Sequence, residues 1–275
     1  MYVAIDIGGT KTLVAVLNNE GVIVEQIRFL TDKKYQDFLN ELKKTIPRLE
    51  HKDFIAGGIG LPATRLDRKH GKAFNFSNLP WEDVNILEDI KDITNCPMVI
   101  ENDAKMAALS ESMLLKDKYK EVLYVTISTG IGFGLVLNGK IDTSIGDGGG
   151  KTILLEYKDR LMPWEEFASG HAIYKKYGKK AKDIKDEKTW REISHELAKG
   201  FIHLIAIMQP EVIVIGGGVG NYFNRFSHFL RDDIEKYKIP LIKMPVIIEA
   251  QRPDEAVIYG CYDLAKQYYP NGKSN

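Results

Sequence analysis

The sequence predicts an α/β fold in which one arrangement of strands and helices is used twice. Near the start, the apolar runs on either side of Gly8-Gly9 indicate a hairpin. Later, the run Val122 to Ser128 passes through Thr129-Gly130 into Phe133 to Leu137, so a second glycine-turned hairpin opens the second half. Alternating helical and strand-like segments follow each hairpin, and this alternation is typical of α/β proteins.

The other elements of the first half are predicted from apolar spacing and turn residues. Asn18-Asn19-Glu20-Gly21 is a turn signal that leads into a third strand. Phe38, Leu42 and Ile46 share one face of a predicted helix. The predicted elements are strands at Val22 to Phe29, Phe54 to Gly60 and Pro97 to Ile100, helices at Tyr35 to Leu49, Val84 to Ile93 and Asp103 to Leu115, and a turn-rich stretch at Arg65 to Trp81.

The second half begins after a charge-rich stretch, Lys116 to Lys120, which indicates either a domain boundary or a solvated helix end within one domain. The predicted elements that follow its hairpin are a long helix at Glu192 to Met208, a strand at Glu211 to Ile215, a helix from Tyr222, a strand at Val246 to Glu249 and a closing helix from Glu255 to Gln267.

Composition and charge narrow the classes of partner. The chain has 275 residues, of which 44% are hydrophobic, and 38 basic side chains balance 38 acidic ones. A neutral chain lacks the bulk attraction that drives binding to nucleic acid or to an anionic membrane. No apolar run approaches the ~18 residues of a membrane span. The start of the chain reads as a strand with no targeting signal, so we expect a cytoplasmic protein that binds neither nucleic acid nor membrane.

The first glycine turn, Asp6-Ile7-Gly8-Gly9-Thr10-Lys11, carries groups that suit a phosphate. Glycines let backbone N–H groups approach an anion closely, the Thr10 hydroxyl can donate to it, and the Asp6 carboxylate can hold a hydrated Mg²⁺. Taken alone, the same residues also suit an ordinary tight hairpin.

A second turn of the same kind, Ser128-Thr129-Gly130-Ile131-Gly132, favours the functional interpretation. Two such hairpins in two similarly ordered halves suggest two lobes that hold one polyphosphate from opposite sides. Gly216-Gly217-Gly218 would then provide a flat backbone surface against a nucleoside.

Two other glycine-rich segments resemble nucleotide motifs that they do not satisfy. Gly150-Lys151-Thr152 ends like a phosphate-binding loop, but the required first glycine is Ile145 and the following residues read as a strand. The turn that begins at Gly216 follows a strand, as a dinucleotide fingerprint should, but Asn221 occupies the position of its third glycine.

Between the two hairpins, Glu101-Asn102-Asp103-Ala104 lies at a junction of strand and helix. A carboxylate at a helix N-terminus can be a cap. It can also be a general base that accepts a proton from an attacking hydroxyl. The local sequence leaves both roles of Asp103 open.

The motifs together resemble the sugar kinases of the ROK family (repressors, uncharacterised reading frames and kinases). The matching segments occur in the family's order along nearly the whole chain. They are the first phosphate loop (Asp6 to Lys11), the Ser77-Asn78-Leu79-Pro80-Trp81 stretch beside the sugar, the Glu101-Asn102-Asp103-Ala104 segment, the second phosphate loop (Ser128 to Gly132) and the adenosine motif (Pro210 to Gly218).

The resemblance implies a two-lobed, actin-like ATPase fold (ribonuclease H-like) with the active site in the cleft between the lobes. One lobe would comprise residues 1–117, completed by a C-terminal helix at 255–275, and the other residues 118–254. It also implies ATP and Mg²⁺ as cofactors, a small sugar as substrate and a homodimer.

The resemblance also implies roles for single residues of this chain. Asp103 would be the catalytic base, while Asn78, Asn102 and Glu165 would bind the sugar and Asp6 would hold Mg²⁺ through water. The residues that would contact ATP are Gly8, Gly9, Thr10, Lys11, Thr129, Gly130, Gly216, Gly217 and Gly218.

The chain departs from the family pattern after the second phosphate loop. The Glu-x-Gly-His motif is missing from the corresponding segment, Gly148 to Ile153, and no cysteine lies between Cys96 and Cys261. A thiolate zinc cluster therefore cannot form there, and we expect no zinc.

Several functions stay open at this point. The resemblance makes glucose the first choice of substrate, with an N-acetylhexosamine or fructose as alternatives. A repressor is disfavoured because the first strand starts at Tyr2 and leaves no room for a DNA-binding helix-turn-helix. A sugar-sensing pseudokinase is disfavoured by the retention of Asp103 and both phosphate loops.

Overall fold

Two five-stranded sheets with the same strand order form the framework of the chain. The computed structural model describes residues 1–238 and 240–270. One sheet belongs to a compact unit formed by Met1–Ser110 and the segment from Asp254, and the other belongs to the unit Glu111–Pro253. In each sheet the first three strands form an antiparallel meander. The fourth strand pairs in parallel with the first, and the fifth pairs in parallel with the fourth.

The sheet of the first unit has a central strand, Tyr2–Ile7, that is buried on both faces. The elements are β1 (Tyr2–Ile7), β2 (Lys11–Leu17), β3 (Ile23–Leu30), α1 (Tyr35–Thr45), β4 (Ala56–Leu61), β5 (Ala63–Asp67), β6 (Lys72–Phe76), α2 (Ile86–Thr94), β7 (Met98–Asn102), α3 (Asp103–Leu115, which continues into the second unit) and α9 (Ala256–Tyr268). The sheet order is β3-β2-β1-β4-β7, and the edge strand β3 alternates between half-buried and exposed residues, as an edge strand with one solvated face should.

Two glycines let α9 pack closely against this sheet and against α3. A Cβ at Gly58 would overlap the Cys261 backbone, and one at Gly260 would overlap the Met106 carbonyl group. The other face of the sheet is covered by a cluster that includes Phe38, Leu42 and Trp81. The sheet is therefore buried on both faces, which is the environment that parallel strands require.

The second unit repeats the arrangement. The elements are β8 (Glu121–Ile127), β9 (Ile131–Leu137), β10 (Lys140–Ile141), β11 (Leu154–Tyr157), β12 (Arg160–Pro163), α4 (Trp164–Ala168), α5 (Gly170–Tyr177), α6 (Glu187–Met208), β13 (Val212–Gly216), α7 (Gly217–Gly220), α8 (Phe223–Glu235) and β14 (Val246–Glu249). The sheet order is β10-β9-β8-β13-β14. The long helix α6 packs against α8 and covers the fully buried Trp164, whose ring fills the space where Gly200 has no side chain.

Among the differences between the predicted and the observed secondary structure, two have a clear local reason. The stretch predicted as turn-rich contains the antiparallel hairpin β5–β6, whose mixed polar composition hides the alternation of a strand. The first helix ends at Thr45 and continues as a 3₁₀ turn, Ile46–Arg48, because Pro47 cannot extend the α-helical hydrogen bonds.

The division between the two compact units falls within α3, between Ser110 and Glu111. The lobe boundary predicted after residue 117, with 255–275 completing the first lobe, stays a prediction, and residues 271–275 of that segment lie outside the described residues. Among the helices of the described ranges, none combines the length and the apolar character that a membrane span needs.

Candidate active site

The carboxyl ends of three parallel strands bring the acidic residues of the first unit together. β1, β4 and β7 run side by side, and their register aligns Asp6 with Gly60 and Gly60 with Glu101. Paired residues of neighbouring strands share a face of the sheet, so Asp6 and Glu101 point to the same side. Asp103 follows directly after β7 as the first residue of α3.

Asp6 and Asp103 are close enough to influence each other's charge. Burial raises the pKa of Asp6 to about 7, and the Asp103 carboxylate adds to that increase while Arg28 opposes it. Burial also raises the pKa of Asp103 to about 6, although the backbone N–H of Ala104 donates to its Oδ1 at 2.8 Å and favours the charged form. Such raised pKa values are typical of functional carboxylates.

The hairpin around Gly8-Gly9, which was predicted to bind phosphate, packs against the turn that carries Asn78. The turn is closed by a hydrogen bond from the Gly8 N–H to the Lys11 carbonyl (3.0 Å), and the Thr10 and Lys11 side chains at the tip are exposed. Gly9 lies so close to Asn78 that a Cβ at this position would overlap the Asn78 Cβ. Glycine is therefore required here by space, and the structure brings Gly9 and Asn78 together.

Lys33, which the sequence analysis does not single out, joins the same two segments. Its Nζ donates to the Gly9 carbonyl (2.7 Å) and to the Asn78 carbonyl (3.1 Å). No local motif marks this lysine in the sequence, because its partners lie 24 and 45 residues away.

Asn102 is the N-cap of α3. Its Oδ1 accepts from the N–H groups of Ala104 (3.0 Å) and Lys105 (3.2 Å), and its Nδ2 donates to the Ala63 carbonyl (3.0 Å). An amide group has two N–H donors. One donor of Asn102 is therefore left over for a ligand, while its oxygen fixes the start of the helix.

Arg68 and Glu101 are a second addition to the predicted site. The guanidinium donates to both carboxylate oxygens, and Glu101 also accepts from the N–H of Asn102 at 2.7 Å. Glu101 was part of a predicted motif without a role of its own, and Arg68 lies in the stretch that was predicted as turns.

The hairpin around Thr129-Gly130, the second one predicted to bind phosphate, is held within the second unit by α5 and by Glu165. The N–H groups of Gly170 and His171 donate to the carbonyls of Ser128 (2.7 Å) and Thr129 (3.3 Å). The Glu165 Oε2 accepts from the Ile131 N–H (3.2 Å), and the Thr129 side chain remains exposed. Glu165 therefore braces the loop that contains Gly130.

The glycine turn after β13 has a buried side and an open side. Gly217 adopts a φ of +84°, and a Cβ there would lie 2.5 Å from the Thr126 hydroxyl. A Cβ at Gly218 would meet no atom within 4 Å. The backbone at Gly218 is therefore exposed and has no protein side chain packed against it, whereas Gly216 is buried at the end of the strand.

The segment that ends like a phosphate-binding loop does not have that structure. Gly149–Lys151 forms a 3₁₀ turn, and the strand β11 follows in place of a helix, as the sequence analysis expects. The Lys151 Nζ lies 3.9 Å from the Glu165 Oε1.

Comparison with known proteins decides the family. A model of the ROK family matches residues 2–152 and 160–268. The chain belongs to the ROK family. This ROK protein is 23% identical to a glucokinase of Streptomyces coelicolor, with 98% of this chain and 99% of that protein covered. It is 28% identical to an N-acetyl-D-glucosamine kinase of Haemophilus influenzae (96% and 99% covered) and 29% identical to a fructokinase of Zymomonas mobilis (80% and 80% covered).

The fold comparison agrees with the family assignment. The ROK protein matches the crystal structure of a ROK family glucokinase from Streptomyces griseus in complex with glucose and AMPPNP, with a TM-score of 0.80, 20% identity, and coverage of 97% of this chain and 99% of that one. The predicted two-lobed, actin-like fold class is confirmed, while the location of a site in a cleft between the lobes stays a prediction.

The residues around Asp6 fit a magnesium ion. Mg²⁺ prefers one or two carboxylates and completes its shell with water and substrate phosphates. The Asp6 carboxylate supplies hard oxygen donors, and a divalent cation beside it would offset the repulsion from Asp103 that contributes to the raised pKa of Asp6. Within residues 1–238 and 240–270, no group of three or more His, Cys, Asp or Glu side chains is placed to hold a metal, and the expectation that zinc is not used stays a prediction.

Proposed function

We propose that this ROK protein is an ATP-dependent sugar kinase, a phosphotransferase with an alcohol group as acceptor. The observation that carries the proposal is the Asp103 carboxyl group, which lies at the start of α3 beside Asp6 with a pKa raised to about 6. The ROK relatives named glucokinase, fructokinase and N-acetyl-D-glucosamine kinase support a sugar as the acceptor.

Asp103 acts as the general base. At neutral pH a carboxyl with a pKa of about 6 is mostly ionised, yet it is a better base than an ordinary aspartate. It accepts the proton of the sugar hydroxyl as the hydroxyl oxygen forms a bond to the γ-phosphorus of ATP. The bond from that phosphorus to the bridging oxygen of ADP breaks, and the proton remains on the Asp103 carboxyl group.

The other residues orient the substrates and stabilise charge. Gly8 to Lys11 and Thr129-Gly130 contact the phosphates, and Gly216 to Gly218 contact the adenosine. Asp6 would hold Mg²⁺ through water, and the ion would supply positive charge that offsets the charge of the phosphates. Most of the acceleration comes from alignment and charge stabilisation, because phosphoryl transfer leaves the protein little covalent chemistry.

Asn78, Asn102 and Glu165 bind the other hydroxyl groups of the sugar. Asn102 offers its remaining amide N–H, since its oxygen and its first N–H are used in the N-cap and the bond to Ala63. The Asn78 side chain is exposed beside Gly9. For Glu165, the oxygen that does not face Ile131 is the one left for a hydroxyl, in competition with Lys151.

Glucose is the proposed substrate, with fructose and N-acetylhexosamines as the alternatives. The test is ADP release with Mg·ATP against a panel of hexoses, amino sugars and N-acetylated amino sugars, with glucose-dependent turnover expected. Turnover on another member of the panel would reassign the substrate. Nucleotide and sugar binding without turnover on any sugar would support a sugar-sensing pseudokinase. A homodimer and a cytoplasmic location stay predictions.

A further inference from the structure

Lys33 occupies a junction between two segments that the proposed function assigns to different substrates. Its Nζ donates to the carbonyl of Gly9, in the hairpin that we assign to the phosphates, at 2.7 Å. The same Nζ donates to the carbonyl of Asn78, in the turn that we assign to the sugar, at 3.1 Å. One ammonium group thus touches the backbone of both segments.

The chain around Lys33 is fixed to these segments by its backbone as well. Two residues earlier, the Thr31 N–H donates to the carbonyl of Thr10 in the phosphate hairpin (2.9 Å). The indole N–H of the buried Trp81 donates to the carbonyl of Lys33 (3.1 Å). The backbone that carries the Lys33 side chain is therefore fixed by these two hydrogen bonds, and this limits the movement of the ammonium group.

The ammonium group has capacity for a further partner. It carries three N–H donors, of which two are used by the carbonyls of Gly9 and Asn78. The side chain is exposed, so a ligand can reach it. Its positive charge also offsets the partial negative charge of these two carbonyl oxygens, which would otherwise repel a nearby phosphate.

We propose that Lys33 binds an oxygen of the transferred phosphoryl group while it holds Gly9 against Asn78. A phosphoryl group that moves from ATP to a sugar hydroxyl passes from the phosphate hairpin to the sugar turn, and Lys33 touches both. The proposal rests on the proposed kinase function. It makes Lys33 a catalytic residue that stabilises the developing charge, as donors fixed in advance do in other enzymes.

The test compares Lys33→Met with Lys34→Met. Lys34 is the exposed neighbouring lysine whose side chain makes no hydrogen bond or ion pair among the described residues, so it matches the change in charge and length. Loss of one fixed donor to a transition state lowers kcat by a factor of about 100, and we expect that loss for Lys33→Met only. Lys33→Arg, which keeps the charge, should recover most of the activity.

The readout that separates charge from mere positioning is product inhibition. In Lys33→Met the inhibition constant of the sugar phosphate should rise about tenfold, because one charge-assisted contact to the phosphate is lost. The dissociation constant of the free sugar should change much less. Equal losses for sugar and sugar phosphate would overturn the proposal, because they indicate a purely structural role. If the wild type phosphorylates a sugar and Lys33→Met has the same kcat, the proposal for Lys33 is overturned, while the proposed kinase function still holds. A wild-type protein that phosphorylates no sugar would overturn the proposed function and this proposal with it.

Discussion

The Arg68 guanidinium donates hydrogen bonds to both oxygens of the Glu101 carboxylate. Glu101 lies two residues before Asp103, the proposed catalytic base. The Nε–Oε2 distance is 2.7 Å and the Nη2–Oε1 distance is 2.6 Å, and Glu101 is only 2% exposed. The same carboxylate accepts from the N–H of Asn102. The pair therefore ties the hairpin β5–β6 to the junction at which α3 and Asp103 begin.

Arg68→Met should destabilise the protein and lower its activity. Removal of one partner leaves the Glu101 charge buried without compensation, which costs about 3–5 kcal/mol in the free energy of unfolding. The measurement is urea unfolding monitored by circular dichroism, with Arg65→Met as the control. Arg65 lies three residues earlier, on β5, and is exposed. Its guanidinium lies over the Phe74 ring and makes no hydrogen bond or ion pair among the described residues. Equal stability of the two variants would contradict the role assigned to the ion pair.

Gly218→Ala should weaken nucleotide binding without destabilising the fold. A methyl group at this position meets no protein atom within 4 Å, so the free protein accommodates it. If adenosine lies against this backbone, the methyl group occupies its place and the KM for ATP rises about tenfold or more, since about 1.4 kcal/mol of lost contact suffices.

The control for this change is Gly146→Ala, where a Cβ also has no neighbour within 4 Å. It should leave both the KM for ATP and the unfolding midpoint unchanged. By contrast, Gly217→Ala should lower the unfolding midpoint, because φ is +84° and the Thr126 hydroxyl is 2.5 Å from the new Cβ. An unchanged KM in Gly218→Ala would refute the adenosine surface.

Asp6 should make the protein less stable as the pH rises towards neutrality. Its pKa is about 7 in the folded state, against a reference value of 3.8, so between these values the folded state binds more protons than the unfolded state. The free energy of unfolding therefore falls as the pH rises through this window, and levels off above about pH 7. The cause is the growing charge of a buried carboxylate beside Asp103.

Asp6→Asn removes this titration and should raise the stability at pH 8 above that of the wild type when Mg²⁺ is omitted. At pH 4, where the wild-type carboxyl is protonated in the folded state, the two proteins should differ much less. The measurement is the unfolding midpoint in urea across this range, with Asp53→Asn, an exposed loop residue, as control. If the difference in unfolding midpoint between the wild type and Asp6→Asn does not change with pH, the conclusion that Asp6 titrates with a raised pKa is wrong.

Much of the fold is predictable from the sequence because its signals are local. The hairpins around Gly8-Gly9 and Thr129-Gly130 are marked by apolar runs and turn residues, and both are present. The mixed polar sequence of β5 and β6 carries no such signal, because their pairing depends on contacts of the folded chain such as the hydrogen bond from the Ser77 N–H to the Pro62 carbonyl.

The residues of the candidate site also divide into those that local sequence motifs identify and those that only the folded chain reveals. Asp6, Asn102 and Asp103 lie in short motifs at strand ends, and those motifs identify them. Lys33 and Arg68 act on residues that are 24 to 45 positions away in sequence, so only the folded chain reveals them. The capping bonds of Asn102 and the bond from Ile131 to Glu165 are likewise visible only in three dimensions.

The central claim is that Asp103 deprotonates a sugar hydroxyl that attacks ATP. The most direct measurement is transfer of labelled γ-phosphate from Mg·ATP to glucose and the other sugars of the panel, by the wild type and by Asp103→Asn. Loss of a general base lowers turnover by a factor of about 10²–10⁴, while ATP should bind both proteins equally. A variant that transfers phosphate as fast as the wild type would contradict the role of Asp103, and a wild type that transfers none to any sugar would contradict the kinase itself.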